Sequence, residues 1–280
     1  MSAARWLSRL WREKQGLPRW WWGVLLAIVI LIVVGLWFLR QTLPAAVDPT
    51  WERIHETGVL PVCTDPSWPP FEFVNERSNQ IDGFDAELAQ LLADRLGSGV
   101  RAEMVTVGFD GLYDALLTGR CDLVLSALPY EPLRTEDVVF SVAYFNAGQV
   151  LVTREETQKI KVLEDLAGRV VGVEWGFVPE ADRRQQTAFR DLGMRRYDTA
   201  QDTLRALQSG EVEVVVVDRI SALAYLRECE GLQIPGEPIT DLDYVAPTRL
   251  DSFQLREAID QAVLEMRKDG TLEALQEKWF

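Results

Sequence analysis

Three kinds of side chain in this sequence suit the capture of a small zwitterion. Arginine pairs with a carboxylate through two parallel hydrogen bonds, aspartate accepts hydrogen bonds from an ammonium group, and an aromatic ring covers an apolar or cationic portion. Arg134, Asp218 and Trp68 supply these types, but they lie far apart in the chain. They can act on one solute only if the fold brings them together.

Each of these residues follows a predicted β-strand. In open α/β sheets, ligands bind beyond the carboxyl ends of the strands, so the residues that follow strands are the candidates for a site. The residues in such positions are Asp65 and Trp68, then Phe109, the run from Ala127 through Pro129 and Glu131 to Arg134, the run from Trp175 to Val178, and Asp218.

Helices and strands alternate along the chain, which predicts a parallel sheet. The strand VLPVCT (59–64) is followed by FDAELAQLLADRLG, whose apolar residues recur at helical spacing until Gly97. A strand over 100–107, a helix over about 110–118 and a strand over 122–128 come next. The sequence therefore predicts an α/β fold.

An internal similarity predicts two lobes. The segments ALLTGRCDLVLSA (115–127) and ALQSGEVEVVVVD (206–218) share a helix end, a glycine, an acid and an apolar strand. We expect lobe 1 over 57–148, completed by 242–280, and lobe 2 over 149–241. For lobe 2 the pattern predicts strands near 169–174 and 212–217 and helices near 178–190, 199–209 and 219–228, followed by a returning strand over 242–248 and a helical tail over 251–280.

Residues 20–39 form an uncharged apolar run of 20 residues, which predicts a transmembrane helix. A cleaved signal peptide is the alternative, but the run is long and the small residues at a cleavage site are poorly placed. Basic residues are concentrated in 1–19, so we expect this segment in the cytoplasm. Residues 40–56 contain prolines and polar residues and are predicted to be a stalk outside the membrane.

The charge balance excludes a nucleic-acid-binding protein. After the first 40 residues the chain carries 23 basic and 42 acidic side chains, a net charge of −19, whereas phosphate recognition needs a clustered basic face. A hydrophobic content of 48% also excludes a disordered chain. The acidic excess mildly favours cationic or zwitterionic solutes over anions.

Cysteine and histidine are too scarce to indicate a metal, redox or nucleophilic site. Three cysteines allow at most one disulfide, and we interpret Cys63 and Cys121 as buried free strand residues and Cys229 as unreactive. The single histidine, His55, lies in the predicted stalk, where it is poorly placed for catalysis. We therefore expect no cofactor, no metal and no enzymatic activity.

From residue 57 to the last residue, the chain resembles the family 3 extracellular solute-binding proteins, the polar amino-acid receptors of ABC importers. The resemblance rests on the ordered set of PPFEF, GFDAELA, GLYDALLTGRCDLVLSALPYEPLRTEDVVFS, GRVVGVEWG, EVEVVVVDRISALAYL and DGTLEALQEKWF. It implies a two-lobed periplasmic-binding-protein type 2 fold, the Venus flytrap. It also implies crossover strands near 145–152 and 241–247, a small-molecule ligand and a permease partner, and we expect a monomer.

The resemblance also implies roles for individual residues. Arg134 matches the arginine that holds the ligand's α-carboxylate, and Asp218 matches the aspartate that holds its α-ammonium. Trp68 and Phe109 match the aromatic walls, and Gly176 matches a glycine whose loop offers backbone N–H groups. The expected site comprises Asp65, Trp68, Phe109, Ala127, Pro129, Glu131, Arg134, Gly176, Phe177 and Asp218.

Two positions depart from the family pattern. Glu131 stands where a threonine is usual, and Phe177 stands where a serine or threonine is usual. Both changes remove a hydroxyl donor to a carboxylate. If Glu131 points into the cleft, it competes for Arg134 and favours a ligand whose main charge is a cation. If it points to solvent, an ordinary α-amino acid is expected.

Simpler structural interpretations stay open for three of these residues. Trp68 could pack on the lobe surface, and Asp218 could cap the helix that follows it. Arg134 could pair on the surface with Glu136 or Asp137, a contact that contributes little to stability.

Two other function classes also stay open beside the transport receptor. The chain could be a sensor ectodomain, although such chains normally continue into a signalling segment. It could be an enzyme that resembles cyclohexadienyl dehydratase, which needs a cleft acid to protonate a leaving group. Glu131 and Glu174 are the candidates for that acid.

Overall fold

The computed structural model describes residues 19–42, 48–157, 159–175 and 192–280. The chain divides into two compact units, with the boundary between residues 47 and 48. The helices are α1 (Arg19–Thr42), α2 (Pro49–Thr57), α3 (Phe84–Leu96), α4 (Leu112–Leu117), α5 (Ala200–Gln208), α6 (Arg219–Glu228), α7 (Phe253–Asp269) and α8 (Thr271–Trp279). The strands are β1 (Val59–Thr64), β2 (Ser67–Trp68), β3 (Glu72–Asn75), β4 (Gln80–Asp82), β5 (Arg101–Thr106), β6 (Leu123–Val124), β7 (Val138–Phe140), β8 (Phe145–Asn146), β9 (Gln149–Arg154), β10 (Val170–Glu174), β11 (Gly193–Tyr197), β12 (Val214–Asp218), β13 (Leu232–Gln233), β14 (Asp243–Tyr244) and β15 (Pro247–Arg249).

The first unit contains α1, which covers the apolar run of the sequence. Its described apolar side chains are exposed, with Leu26 at 64% and Leu31 at 71%. None of the helices in the described ranges meets the combined length and hydropathy of a membrane span. The transmembrane helix expected over 20–39 therefore stays a prediction.

Helix α2 belongs to the globular unit, whereas the sequence assigned residues 40–56 to a stalk. Asp48 caps α2 by accepting a hydrogen bond from the Trp51 N–H at 2.9 Å, and it also accepts one from the Gln254 N–H at 2.7 Å. Ile54 is fully buried in the lobe 1 core. The predicted stalk differs from the structure over residues 49–56 because an aspartate before a proline starts a helix here.

Lobe 1 is built on a parallel sheet with the strand order β5–β1–β6. In the central strand, Val62 lies opposite Met104 on one side and Leu123 on the other. Successive residues of β1 enter different hydrophobic clusters: Val62 packs with α3 and α7, while Cys63 packs with α4. The sheet is thus covered on both faces, and its strands all end at one edge.

The internal similarity corresponds to one turn that occurs in both lobes. Gly119 ends α4 with φ of 76°, and Gly210 ends α5 with φ of 82°. In each case the N–H of the next residue bonds a carbonyl of the helix at 2.9 Å, Ala115 in lobe 1 and Ala206 in lobe 2. Glycine suits this left-handed position because it lacks a Cβ. The turn leads into β6 and β12 respectively.

Lobe 2 contains a five-stranded sheet with the order β11–β10–β12–β9–β13. The strands β11, β10 and β12 are parallel, and β9 runs antiparallel to both β12 and β13. Helices α5 and α6 pack with Val150, Val152 and Val215 of this sheet. The helix predicted near 178–190 lies outside the described residues. Two α/β lobes are present, so the two-lobed fold is confirmed.

Two adjacent crossings connect the lobes. Strands β8 and β14 pair antiparallel, with Phe145 opposite Tyr244. Next to them, a Cβ on Gly148 would lie 1.8 Å from the Thr240 carbonyl oxygen, so only glycine permits this close approach. These crossings fall within the ranges 145–152 and 241–247 that the resemblance implied.

Cys63 and Cys121 form a disulfide with a Cα–Cα distance of 5.6 Å. The interpretation of both as free thiols was therefore wrong, although both are buried. Cys63 lies on β1 and Cys121 lies two residues before β6, and the pairing of these strands brings the two together. Cys229 is a free cysteine.

Candidate functional site

A pocket of about 320 Å³ lies at the edge of lobe 1 where the parallel strands end. Four of the ten residues expected from the sequence line it. The lining residues are Asp65, Ser67, Trp68, Glu72, Phe109, Ser126, Ala127 and Tyr244.

Two exposed aromatic side chains line this pocket. Trp68 lies on the short strand β2 and is 55% exposed, and Phe109 starts the 3₁₀ turn Phe109–Gly111 and is 48% exposed. The surface-packing interpretation of Trp68 is not favoured, because this ring lines the pocket with half its surface accessible. Such rings can cover an apolar or cationic part of a solute.

Asp65 holds the aromatic wall in place at the end of β1. Its Oδ2 accepts a hydrogen bond from the Phe109 N–H at 2.9 Å, and its own N–H donates to Ser126 Oγ at 3.0 Å. One carboxylate oxygen therefore ties β1 to the turn after β5. The negative charge of Asp65 stands in the pocket lining and suits a cationic group.

The inner side of the pocket contains a buried pair of carboxyl groups, Glu72 and Asp85. Ser126 Oγ donates to Glu72 Oε1 at 2.8 Å. Asp85 Oδ2 accepts hydrogen bonds from the Ala127 N–H at 2.7 Å and the Tyr144 hydroxyl at 3.1 Å. The two carboxyl groups contact each other. Ala127 has φ of 43°, a left-handed conformation that is uncommon for a residue with a Cβ.

Burial raises the pKa of three groups in this network, Glu72, Asp85 and Tyr144. Burial, followed by the charge of Asp85, raises the pKa of Glu72. Burial also raises the pKa of Asp85, against the lowering effect of its hydrogen bond from Ala127. The pKa of Tyr144 is raised well above its usual value by burial and by the nearby Asp85. The inner side of the pocket therefore contains two buried carboxyl groups whose ionisation is disfavoured by burial.

Arg134 lies outside the pocket lining, in the 3₁₀ turn Pro132–Arg134. Its Nε is 4.0 Å from Glu131 Oε2, its Nη1 is 3.7 Å from Asp137 Oδ2, and its guanidinium group lies 4.7 Å from the centre of the Tyr113 ring. The Arg134 side chain is 45% exposed, so these ion pairs are weak. Its role as a carboxylate ligand stays a prediction.

Two other predicted residues lie near Arg134. Glu131 Oε1 accepts a hydrogen bond from the Tyr113 hydroxyl at 3.3 Å. Pro129 forms an isolated bridge with Tyr244, which itself lines the pocket. Pro129 thus adjoins the pocket through Tyr244, whereas Glu131 contacts Tyr113 and Arg134, which lie outside the pocket lining.

Asp218 ends β12 and caps α6 by accepting a hydrogen bond from the Ser221 N–H at 2.8 Å. This confirms its interpretation as a helix cap. Asp218 also acts across the lobes: after burial and Asp85, its charge is a further cause that raises the pKa of Tyr244. The carboxylate of lobe 2 is therefore within electrostatic reach of a residue in the lobe 1 pocket.

The sequence missed four members of the site, Ser67, Glu72, Ser126 and Tyr244. Glu72 lies in the PPFEF segment and is buried directly after the buried Phe71, whereas an acid in a strand usually faces solvent, so no local pattern marked it. The remaining predicted residues, Gly176 and Phe177, lie outside the described residues.

No cluster of three or more possible metal ligands occurs within the described parts of the chain.

Comparison with known proteins places this architecture in a family. The L-cystine-binding protein TcyJ of Escherichia coli is 33% identical over 230 residues, which cover 81% of this chain and 85% of that protein. The arginine-binding extracellular protein ArtP of Bacillus subtilis is 30% identical over 220 residues, which cover 78% of this chain and 84% of that protein.

Solved structures show the same architecture. An ancestral cyclohexadienyl dehydratase has a TM-score of 0.74 at 26% identity, with coverage of 84% of this chain and 98% of that one. An ancestral cationic amino acid solute-binding protein has a TM-score of 0.56 at 31% identity, covering 82% of this chain and 99% of that one. Residues 60–280 match the model of one family across both lobes. With its pocket at the strand ends of lobe 1, the chain belongs to family 3 of the bacterial extracellular solute-binding proteins.

Proposed function

We propose that this protein is a membrane-anchored receptor outside the cytoplasm that captures an amino acid, or a related small zwitterionic or cationic solute, and delivers it to an ABC importer. The observation that carries this proposal is the lobe 1 pocket, where the exposed rings of Trp68 and Phe109 stand beside the carboxylate of Asp65. Aromatic faces and a carboxylate together attract a cationic group.

The named relatives support an amino-acid ligand. One is named for binding L-cystine and another for binding arginine. Both ligands carry α-ammonium and α-carboxylate groups, and arginine adds a cationic side chain. The acidic pocket of this chain favours the cationic member of such a pair.

Capture requires groups from both lobes. In this proposal, Arg134 of lobe 1 pairs with the carboxylate of the solute, and Asp218 of lobe 2 accepts from its ammonium group. Glu131 lies 4.0 Å from Arg134 and partly neutralises it. We therefore expect a solute that depends more on its cation than on its carboxylate.

The proposed location rests on α1 and on the disulfide. Helix α1 has exposed apolar side chains, and the basic residues before it favour a cytoplasmic N-terminus. Disulfides such as Cys63–Cys121 persist in oxidising compartments outside the cytoplasm. The globular unit then lies on the side where solutes are collected.

A thermal-shift screen of the full-length protein in detergent tests the ligand class. A solute that binds only the folded form raises the unfolding temperature. We expect cationic amino acids to raise it, small dicarboxylates to leave it unchanged, and Phe109→Ala to reduce the effect. A response to dicarboxylates alone would contradict the proposal.

Enzymatic activity is the second candidate, because the ancestral cyclohexadienyl dehydratase shares the fold with a TM-score of 0.74. Such chemistry needs an acid that protonates a leaving group. The sequence suggested two such acids. Glu131 accepts a hydrogen bond from the Tyr113 hydroxyl and forms an ion pair with Arg134, and Glu174 is the last residue of β10. An absorbance assay with prephenate and arogenate distinguishes the candidates, since a receptor leaves both substrates unchanged.

A further inference from the structure

Glu72 is a carboxyl group that lines the pocket and yet has almost no exposed surface. It lies on β3 and is 1% exposed, and it contacts Asp85, which is 0% exposed at the start of α3. Glu72 Oε2 and Asp85 Oδ1 have no other hydrogen-bond partner among the described residues. Two buried carboxyl groups in contact cannot both be ionised at low cost, because like charges repel strongly where water is excluded.

Among the described residues, the charged groups that act on Glu72 are acids, and none is a compensating cation. Asp65, at the end of β1, adds a further negative charge that acts on Glu72. The phenols of Tyr144, which precedes β8, and Tyr244, on β14, are both affected by Glu72. Asp218, the helix cap from lobe 2, acts on Tyr244. A single proton between the carboxyl groups of Glu72 and Asp85 gives both orphan oxygens a partner.

The hydrogen bonds indicate which carboxyl group keeps that proton. Asp85 accepts from a backbone N–H at 2.7 Å and from the Tyr144 hydroxyl at 3.1 Å, and both bonds stabilise its ionised form. Glu72 accepts only from the Ser126 hydroxyl, at 2.8 Å. Burial raises the pKa of Glu72, in agreement with this assignment.

The pair fixes three residues of the pocket wall. Asp85 holds the N–H of Ala127 in its left-handed conformation, with φ of 43°. Glu72 holds the hydroxyl of Ser126, which in turn accepts from the Asp65 N–H at 3.0 Å. The wall that a solute contacts is therefore attached to the two carboxyl groups.

We propose that Glu72 is a positioning residue that remains protonated in the folded protein, donates a hydrogen bond to the Asp85 carboxylate and so holds Asp65, Ser126 and Ala127 in the geometry that binds the solute. This inference deepens the proposed function and rests on it, since it concerns the same pocket.

Thermal and chemical unfolding of the full-length protein in detergent, between pH 6 and pH 9, tests the protonation without any ligand. Glu72 is protonated in the fold and ionised in the unfolded chain, so folding takes up a proton and becomes less favourable as the pH rises. The amide of the Glu72→Gln variant is neutral in both states, so the variant does not lose stability in this way. As the pH rises, the ratio of the wild-type unfolding constant to that of Glu72→Gln should therefore increase about tenfold per pH unit. The exposed Glu76→Gln is the matched control and should show no such trend. A stability difference for Glu72→Gln that does not change with pH would overturn the proposal.

Calorimetry with L-arginine at pH 7 tests the positioning role. A glutamine amide can donate to Asp85 as the protonated carboxyl group does, so Glu72→Gln should keep the affinity within about threefold. Glu72→Ala removes the donor and should lose at least about tenfold in affinity, the scale of one lost hydrogen bond. Equal losses in both variants would show that an ionised Glu72 binds the solute directly. If the wild type does not bind L-arginine, the proposed ligand class fails, while the unfolding experiment still decides the state of Glu72.

Discussion

Asp218 is a single residue with both a structural and a proposed binding role. Asparagine caps helices about as well as aspartate, so Asp218→Asn should keep the hydrogen bond to the Ser221 N–H and preserve the fold. Loss of the charge should weaken the binding of L-arginine by at least tenfold, about 1.5–3 kcal/mol. Calorimetry measures this, and Asp202→Asn in the first turn of α5 is the control. Unchanged affinity in Asp218→Asn would exclude the ammonium role.

We propose that Glu131 controls how strongly the solute's carboxylate contributes to binding. It lies 4.0 Å from Arg134 and also accepts a hydrogen bond from Tyr113. We predict that Glu131→Thr strengthens the binding of L-arginine relative to its decarboxylated amine, because Arg134 is then released to pair with the carboxylate. Calorimetry with the two solutes gives the ratio of affinities, and Glu136→Gln serves as the control. A ratio that Glu131→Thr leaves unchanged would mean that Glu131 does not influence the site.

At the scale of elements, the disulfide links β1 to the start of β6. It closes a loop with a sequence separation of 58 residues, and a loop of this size is expected to stabilise the fold by about 4 kcal/mol, chiefly by restricting the unfolded chain. Replacing both Cys63 and Cys121 by alanine should lower the free energy of unfolding by about this amount, as measured by chemical denaturation. Cys229→Ala, which removes only the free cysteine, should have a small effect. Equal stability of the two variants would contradict this prediction.

Helix α1 is predicted to remain attached to the mature protein. The apolar run lacks a well-placed cleavage site, so we expect the protein in the membrane fraction with residues 1–40 intact. N-terminal sequencing of the mature protein measures this, and a variant without residues 20–39 should move to the soluble fraction. A mature N-terminus near residues 45–48 would show that the segment is a cleaved signal peptide.

The elements that the sequence predicted well are those with strong local patterns. Strand β1 was predicted at its observed bounds, and α3 was predicted from the spacing of its apolar residues. The shared turn before β6 and β12 was visible because the glycine and the following acid recur. Such features depend on neighbours in the chain, so one sequence is enough to find them.

The features that the sequence missed depend on contacts between distant residues. The pairing of Cys63 with Cys121 follows from strand order, which no local pattern specifies. Neither Glu72 nor Asp85 stands out in the sequence, and their chemistry arises only because β3 and α3 bury them together. Tyr244 enters the pocket because β14 returns to lobe 1. Burial and long-range register decide these features.

At the scale of the whole globular unit, contacts at the crossings connect the lobes. Arg219, the first residue of α6, donates to the Asn146 carbonyl oxygen at 3.2 Å and to Gln276 Oε1 at 2.9 Å, and it lies 5.0 Å from the centre of the Phe145 ring. It directly follows Asp218, the proposed ammonium ligand. If the lobes close about these crossings, as in hinge closure generally, a solute that engages Asp218 acts next to the residues about which they turn.

Small-angle scattering of the unit Asp48–Phe280 tests the central claim most directly. The measurement compares the radius of gyration without solute and with a saturating amount of the solute that gives the largest thermal shift. If the solute is captured between Arg134 of lobe 1 and Asp218 of lobe 2, closure of the lobes should reduce the radius. A solute that binds tightly and leaves the radius unchanged would contradict capture by closure of two lobes.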